Sequence, residues 1–141
     1  MKKATEIFGS GYSCSQAVLG RFAEENGLDY DTALKIASGF GAGMARNEEV
    51  CGAVTGGIMA LGLRYGRTSD TDSTATYDTY GKVNELMERF ARENGSCICR
   101  KLLGGVDLKT DEGQSQYAQR GLIKVCERCV ESAERIVESL M

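Results

Sequence analysis

Apolar residues recur every three or four positions along most of this chain, which predicts helices rather than strands. Over residues 15–26, Ala17, Val18, Phe22 and Ala23 share one face, and Asn26-Gly27 supplies a left-handed stop. A second helix is expected after Asp29 or Asp31, either of which can cap it. Ala33, Leu34, Ile36 and Ala37 turn inward there, until Gly39-Phe40-Gly41-Ala42-Gly43 breaks the repeat. Residues 50–65 read as a buried helix rich in small side chains and closed by Gly66, and residues 67–75 as a polar surface loop. A long amphipathic helix follows over 77–93, a short one over 97–103 and a weaker one over 113–124. The last, over 127–140, sets Val130, Ala133, Ile136, Val137 and Leu140 on one face. With no alternating strand pair, hairpin turn or internal repeat, the expected fold is all-α: a single-domain compact helical bundle of about five to seven helices, spanning residues 1–141.

Composition narrows the function. At 141 residues, 42% of them hydrophobic, the chain suits one core. The net charge of -3 is dispersed, and no basic run alternates with aromatics, so nucleic acid is not an expected partner. The longest apolar run, residues 58–63, falls far short of the roughly 20 residues that cross a bilayer, so no membrane insertion is expected. Met1-Lys2-Lys3 resembles the charged start of a signal peptide, but residues 4–13 contain Glu6 and no sustained apolar core. Gly11-Tyr12-Ser13-Cys14 fails as a lipoprotein cleavage site for the same reason. The expected location is therefore the cytoplasm, where structural disulfides are rare and clustered cysteines serve catalysis, redox switching or metal binding.

There are six cysteines and no histidine. A Cys-His nucleophile pair, a Cys2His2 zinc site and a His-ligated haem are all excluded. The absence of proline favours unkinked helices. Cys14, Cys51, Cys99 and Cys126 each fall near an expected helix start, where about half a positive charge and free N–H groups stabilise a thiolate. A single buried cysteine is more often apolar filler, but four helix-start cysteines in one short chain favour chemistry. Arg46 and Arg100 are nearby cations that suit thiolates at Cys51 and Cys99. Cys126-Glu127-Arg128-Cys129 is a Cys-x-x-Cys in which one thiolate can attack a disulfide and the other resolve it. The strand that precedes this motif in thioredoxins is missing. Cys97-Ile98-Cys99 is a weaker pair, and the 27 residues from Cys99 to Cys126 match no compact ligand motif.

Gly39-Phe40-Gly41-Ala42-Gly43 lacks the strand and the Lys-Ser/Thr of a phosphate loop, and reads instead as a turn with positive backbone dihedrals. Gly52 and Gly56 lie four apart on one helical face. They either make room beside Cys51 for a cofactor or substrate, or let two helices approach closely.

The chain resembles the C_GCAxxG_C_C family of redox-active proteins. The resemblance is carried by Cys14-Ser15-Gln16-Ala17-Val18, Ser38-Gly39-Phe40-Gly41-Ala42-Gly43-Met44, Cys51-Gly52-Ala53-Val54-Thr55-Gly56, Cys99-Arg100-Lys101-Leu102-Leu103-Gly104 and Cys126. It implies that Cys14, Cys51, Cys99 and Cys126 are the family's cysteines and that Cys97 and Cys129 are extras of this sequence. The leading expectation is a thiol–disulfide or electron-transfer oxidoreductase with Cys51 as the reactive thiolate among Cys14, Cys99 and Cys126, serving a redox partner or small molecule. The same four thiolates holding zinc or an iron-sulfur cluster is the first alternative. A non-enzymatic helical adaptor with packed cysteines is the second. The amphipathic helices over 77–93 and 127–140 offer a face for a homodimer.

Overall fold

The protein is described by a computed structural model covering residues 2–141. It is all-helical: α1 Ala4–Gly9, α2 Cys14–Ala23, α3 Tyr30–Ala37, α4 Gly52–Tyr65, α5 Ser73–Asn94, α6 Cys99–Leu102, α7 Asp111–Gln119 and α8 Ile123–Leu140. Side-chain capping sets several starts. Ser13 Oγ accepts from Gln16 N at 3.3 Å while Ser13 N donates to Gln16 Oε1 at 3.0 Å, which makes Cys14 the first residue of α2. Asp29 caps α3, Asp72 caps α5 and Thr110 caps α7, each side chain accepting from the amide three residues on.

α4 lies at the centre and packs on α2, α5 and α8. Its glycines explain how closely. A Cβ at Gly56 would stand 2.7 Å from the Ser15 carbonyl oxygen, and one at Gly57 would stand 2.9 Å from Leu86. Leu61 of this helix and, around it, Phe22, Leu86, Phe90, Ile136 and Val137 are fully buried, each contributing about 1.5–3 kcal/mol of apolar transfer. A second, smaller cluster of Cys99, Leu103, Val106 and Leu108 takes Tyr117, Val125 and Cys126 against it.

Several sequence expectations are corrected. Residues 4–9 form α1, which dispersed polar residues hid; Ala4 and Ile7 anchor it in the core. Ile36 is half exposed rather than inward-facing. The expected helices over 113–124 and 127–140 divide elsewhere: Gly121, with φ +62°, ends the α7 region, and α8 begins at Ile123. The apolar face of α8 packs inside the protein, on the main core. No helix among the described residues is long and apolar enough to cross a membrane.

Between α3 and α4 the chain winds left-handed. Ala42, Gly43, Met44, Ala45 and Arg46 all have φ between +54° and +70°, and Ala45 N donates to Gly41 O at 2.9 Å. For non-glycine residues this conformation costs about 1–2 kcal/mol each. The segment is held by Glu48 N on Ala42 O and Glu49 N on Gly43 O. Gly43 is obligatory there, since a Cβ would meet Glu49 N at 2.6 Å. The expected glycine turn is thus real, but its left-handed path runs mainly through residues that disfavour it. Gly41 serves close approach instead, because its Cβ would lie 2.8 Å from that of Ser13.

Candidate functional site

The left-handed turn, the start of α2, the start of α4, α6 and the first turns of α8 enclose one cavity of about 220 Å³. Its wall carries five of the six thiols: Cys14, Cys51, Cys99, Cys126 and Cys129. Phe8, Leu102, Leu103, Leu108 and Val125 make it apolar, and Arg46, Ser13, Gln114 and Tyr117 supply its polar groups. All six cysteines are free thiols.

Backbone pairing brings the distant segments together. Val50 and Ile98 form an isolated antiparallel bridge, with Cys51 N on Cys97 O and Cys99 N on Glu49 O, both at 2.7 Å. Cys51 thereby becomes the N-cap of α4, and Cys99 the first residue of α6. Glu48 secures the far side. Its buried side chain accepts from Leu108 N at 2.9 Å through Oε1, while Oε2 has no partner.

Within the cavity the thiols form two facing pairs. Cys14 interacts with Cys126, and Cys129 with Cys51, each partner shifting the other's proton affinity. Cys14 and Cys126 are half-buried, whereas Cys51 is 6% and Cys129 2% exposed. There is an outer and an inner pair.

Each pair contains one acidic and one reluctant thiol. The hydrogen bond from Cys14, aided by the Tyr117 hydroxyl at 3.3 Å, outweighs burial and lowers Cys126 to about 7. Cys14 is correspondingly raised, by giving that bond and by burial. Tyr117 is also raised, by burial and by its bond to Cys126, so it stays a donor. The bond from Cys129 lowers Cys51 against burial, with help from the Ala53 and Val54 amides, although neither is close or straight enough to count as a cap hydrogen bond. Cys129 is raised by the same bond and by burial.

All four expected cysteines line one pocket, Cys126 one turn into its helix and not at its opening, yet helix placement alone does not make a thiol acidic. Cys99 is pushed up to about 12, chiefly by burial and then by the neighbouring Cys51 and Glu48, with only slight relief from Arg100. The Arg100 guanidinium donates to Asn47 O at 3.0 Å, while Arg46 does line the cavity. Gly52 borders the thiols; Gly56 lies outside the cavity lining and serves helix packing. Cys129, set aside as an extra, is a full partner, and its Cys-x-x-Cys spacing was the visible signal. Nothing in the pattern marked Tyr117. Cys97 lies outside the cavity, its thiol donating to Met87 O at 3.3 Å, and burial raises its pKa. No group of three or more Cys, Asp or Glu side chains among the described residues is arranged to hold a metal ion.

A family described as "Putative redox-active protein (C_GCAxxG_C_C)" matches residues 12–140, a span that contains all six cysteines. No curated protein and no solved structure matches the chain.

Proposed function

Because the chain belongs to the C_GCAxxG_C_C family, we propose that it is a thiol redox protein that cycles Cys14 and Cys126 between dithiol and disulfide, with Cys126 as the attacking thiolate. The carrying observation is the outer pair, in which a half-buried thiol acidic near neutral pH lies beside one that holds its proton. At pH 7 about half of Cys126 is thiolate, close to the optimum for an attacking sulfur.

With a low-molecular-weight disulfide as oxidant, the Cys126 thiolate attacks one sulfur and expels the other as thiolate. Cys14 then loses its proton and attacks Cys126, expelling the second thiolate. Two electrons pass to the small disulfide, which leaves as two thiols. In the reducing cytoplasm, where we place the protein, an external dithiol would reverse these steps.

The test is alkylation and tryptic mapping after graded oxidation. Trypsin separates Cys14 (residues 4–21), Cys51 (47–64), Cys126 (125–128) and Cys129 (129–135), since Arg128 lies between the last two. A reversible link between peptides 4–21 and 125–128 is expected. If none of the four thiols enters a reversible disulfide, the redox reading fails.

A further inference from the structure

Resting on that reading, we propose that α8 is a disulfide relay: the oxidised outer pair Cys14–Cys126 hands its disulfide through Cys126–Cys129 to the inner pair Cys51–Cys129. A dithiol carrier needs only one pair. Here a second pair faces the same cavity, and the two are joined by a Cys-x-x-Cys on one helix face.

Exposure assigns the order. A small oxidant meets Cys126 first, because Cys126 is half-buried whereas Cys51 and Cys129 are nearly sealed. The inner pair is reached by exchange. In the first internal step the Cys129 thiolate attacks Cys126, the Cys14–Cys126 bond breaks, and Cys14 leaves with the proton that Cys129 gave up. In the second, the Cys51 thiolate attacks Cys129, the Cys126–Cys129 bond breaks, and Cys126 leaves as a thiolate. Neither step consumes an oxidant, and the outer pair returns to its dithiol state. A second small disulfide can then be accepted, so the full cavity stores two disulfides and four electrons.

The middle state is sterically within reach. Residues three apart on a helix hold their Cβ atoms about 5–6 Å apart, against about 3.5–4.5 Å in a disulfide, so one turn must tighten by roughly 1–2 Å. Cys126 lies near the start of α8, where its own amide bond to Leu122 O is already long at 3.3 Å. The proton inventory fits as well, since Cys51 and Cys126, the thiols held acidic, are the two that end each cycle as nucleophile or leaving group.

The experiment is a time course on the full-length protein with one equivalent of 4,4′-dithiodipyridine, quenched in acid, alkylated and mapped with trypsin. The link between peptides 4–21 and 125–128 should form first and give way to a link between 47–64 and 129–135. Two equivalents should leave both links and release four pyridinethiones. In Cys126→Ser the inner link should form at least about tenfold more slowly. Persistence of the outer link with Cys51 and Cys129 still alkylatable, or an inner link formed at full rate in Cys126→Ser, overturns the relay while leaving the redox function standing. The wild-type time course does not depend on the variant's folding. No disulfide among the four would instead sink the redox function itself.

Discussion

Replacing Tyr117 by Phe isolates one cause of the acidity of Cys126. The substitution removes one hydroxyl that donates to the Cys126 sulfur at 3.3 Å and keeps the ring that packs against the smaller core cluster. A hydrogen bond to a charged acceptor contributes about 1.5–3 kcal/mol, and one pKa unit is about 1.4 kcal/mol. Cys14 and the helix start remain, and Tyr117 is itself half-buried, so the lower end applies, a rise of about one unit from about 7. A thiolate exists above its pKa and is lost below it, so the change shifts reactivity to higher pH. At pH 7 the thiolate fraction should fall from about a half to about a tenth. The assay is the pH profile of iodoacetamide alkylation at Cys126, read from peptide 125–128. An unchanged or lower midpoint in Tyr117→Phe, with the circular dichroism of the folded protein retained, would refute this account of the thiol's acidity.

The two glycines Gly56 and Gly62 of α4 should respond with opposite signs in thermal melts. Gly62→Ala meets nothing within 4 Å and should stabilise by up to about 1 kcal/mol, whereas Gly56→Ala must move the α2 backbone and should destabilise despite the same helical gain. Ala45 is exposed at φ +54°, so Ala45→Gly should raise stability in urea by about 0.5–1 kcal/mol through relief of left-handed strain, less the added freedom of the unfolded chain. Cys99, held near 12, should resist alkylation in the folded protein at pH 8 while Cys126 reacts fully, a contrast that unfolding in urea abolishes. Oxidation of the outer pair closes a loop of about a hundred residues and should raise the melting temperature, by an amount equivalent to roughly 2–5 kcal/mol in calorimetry.

Helix periodicity carried most of the architecture because each long helix presents a continuous apolar face, as Val130, Ala133, Ile136 and Val137 do in α8. Where that face was short the reading failed, as in α1, whose hold on the core rests on Ala4 and Ile7. The cysteines were legible as helix-start residues, but their pairing was not. Whether Cys126 faces Cys14 or Cys51 depends on how α8 is rotated against α2 and α4, which no local pattern encodes. The acidity of each thiol was illegible for a related reason. Cys99 and Cys126 share a place near a helix start, and they diverge because one is buried without a donor while the other receives two. The left-handed turn was signalled by Gly43, yet Met44, Ala45 and Arg46 follow the same path, in a loop closed by the Glu48 and Glu49 amides on Ala42 O and Gly43 O that no local apolar pattern announces.

The way the two thiol pairs are threaded bears on synthesis. Along the chain the order is Cys14, Cys51, Cys126, Cys129, so the pairs interlace, and both wait for partners contributed by α8. Neither native pair can form on the ribosome before residues 126–129 emerge, by which time every other helix of the bundle has been made. On the proposed function, the chain therefore leaves synthesis with both pairs as dithiols. If the thiols cycle as proposed, their first native oxidation is a reaction of the folded bundle, and a disulfide among Cys14, Cys51, Cys97 and Cys99 in a shorter nascent chain is a non-native one.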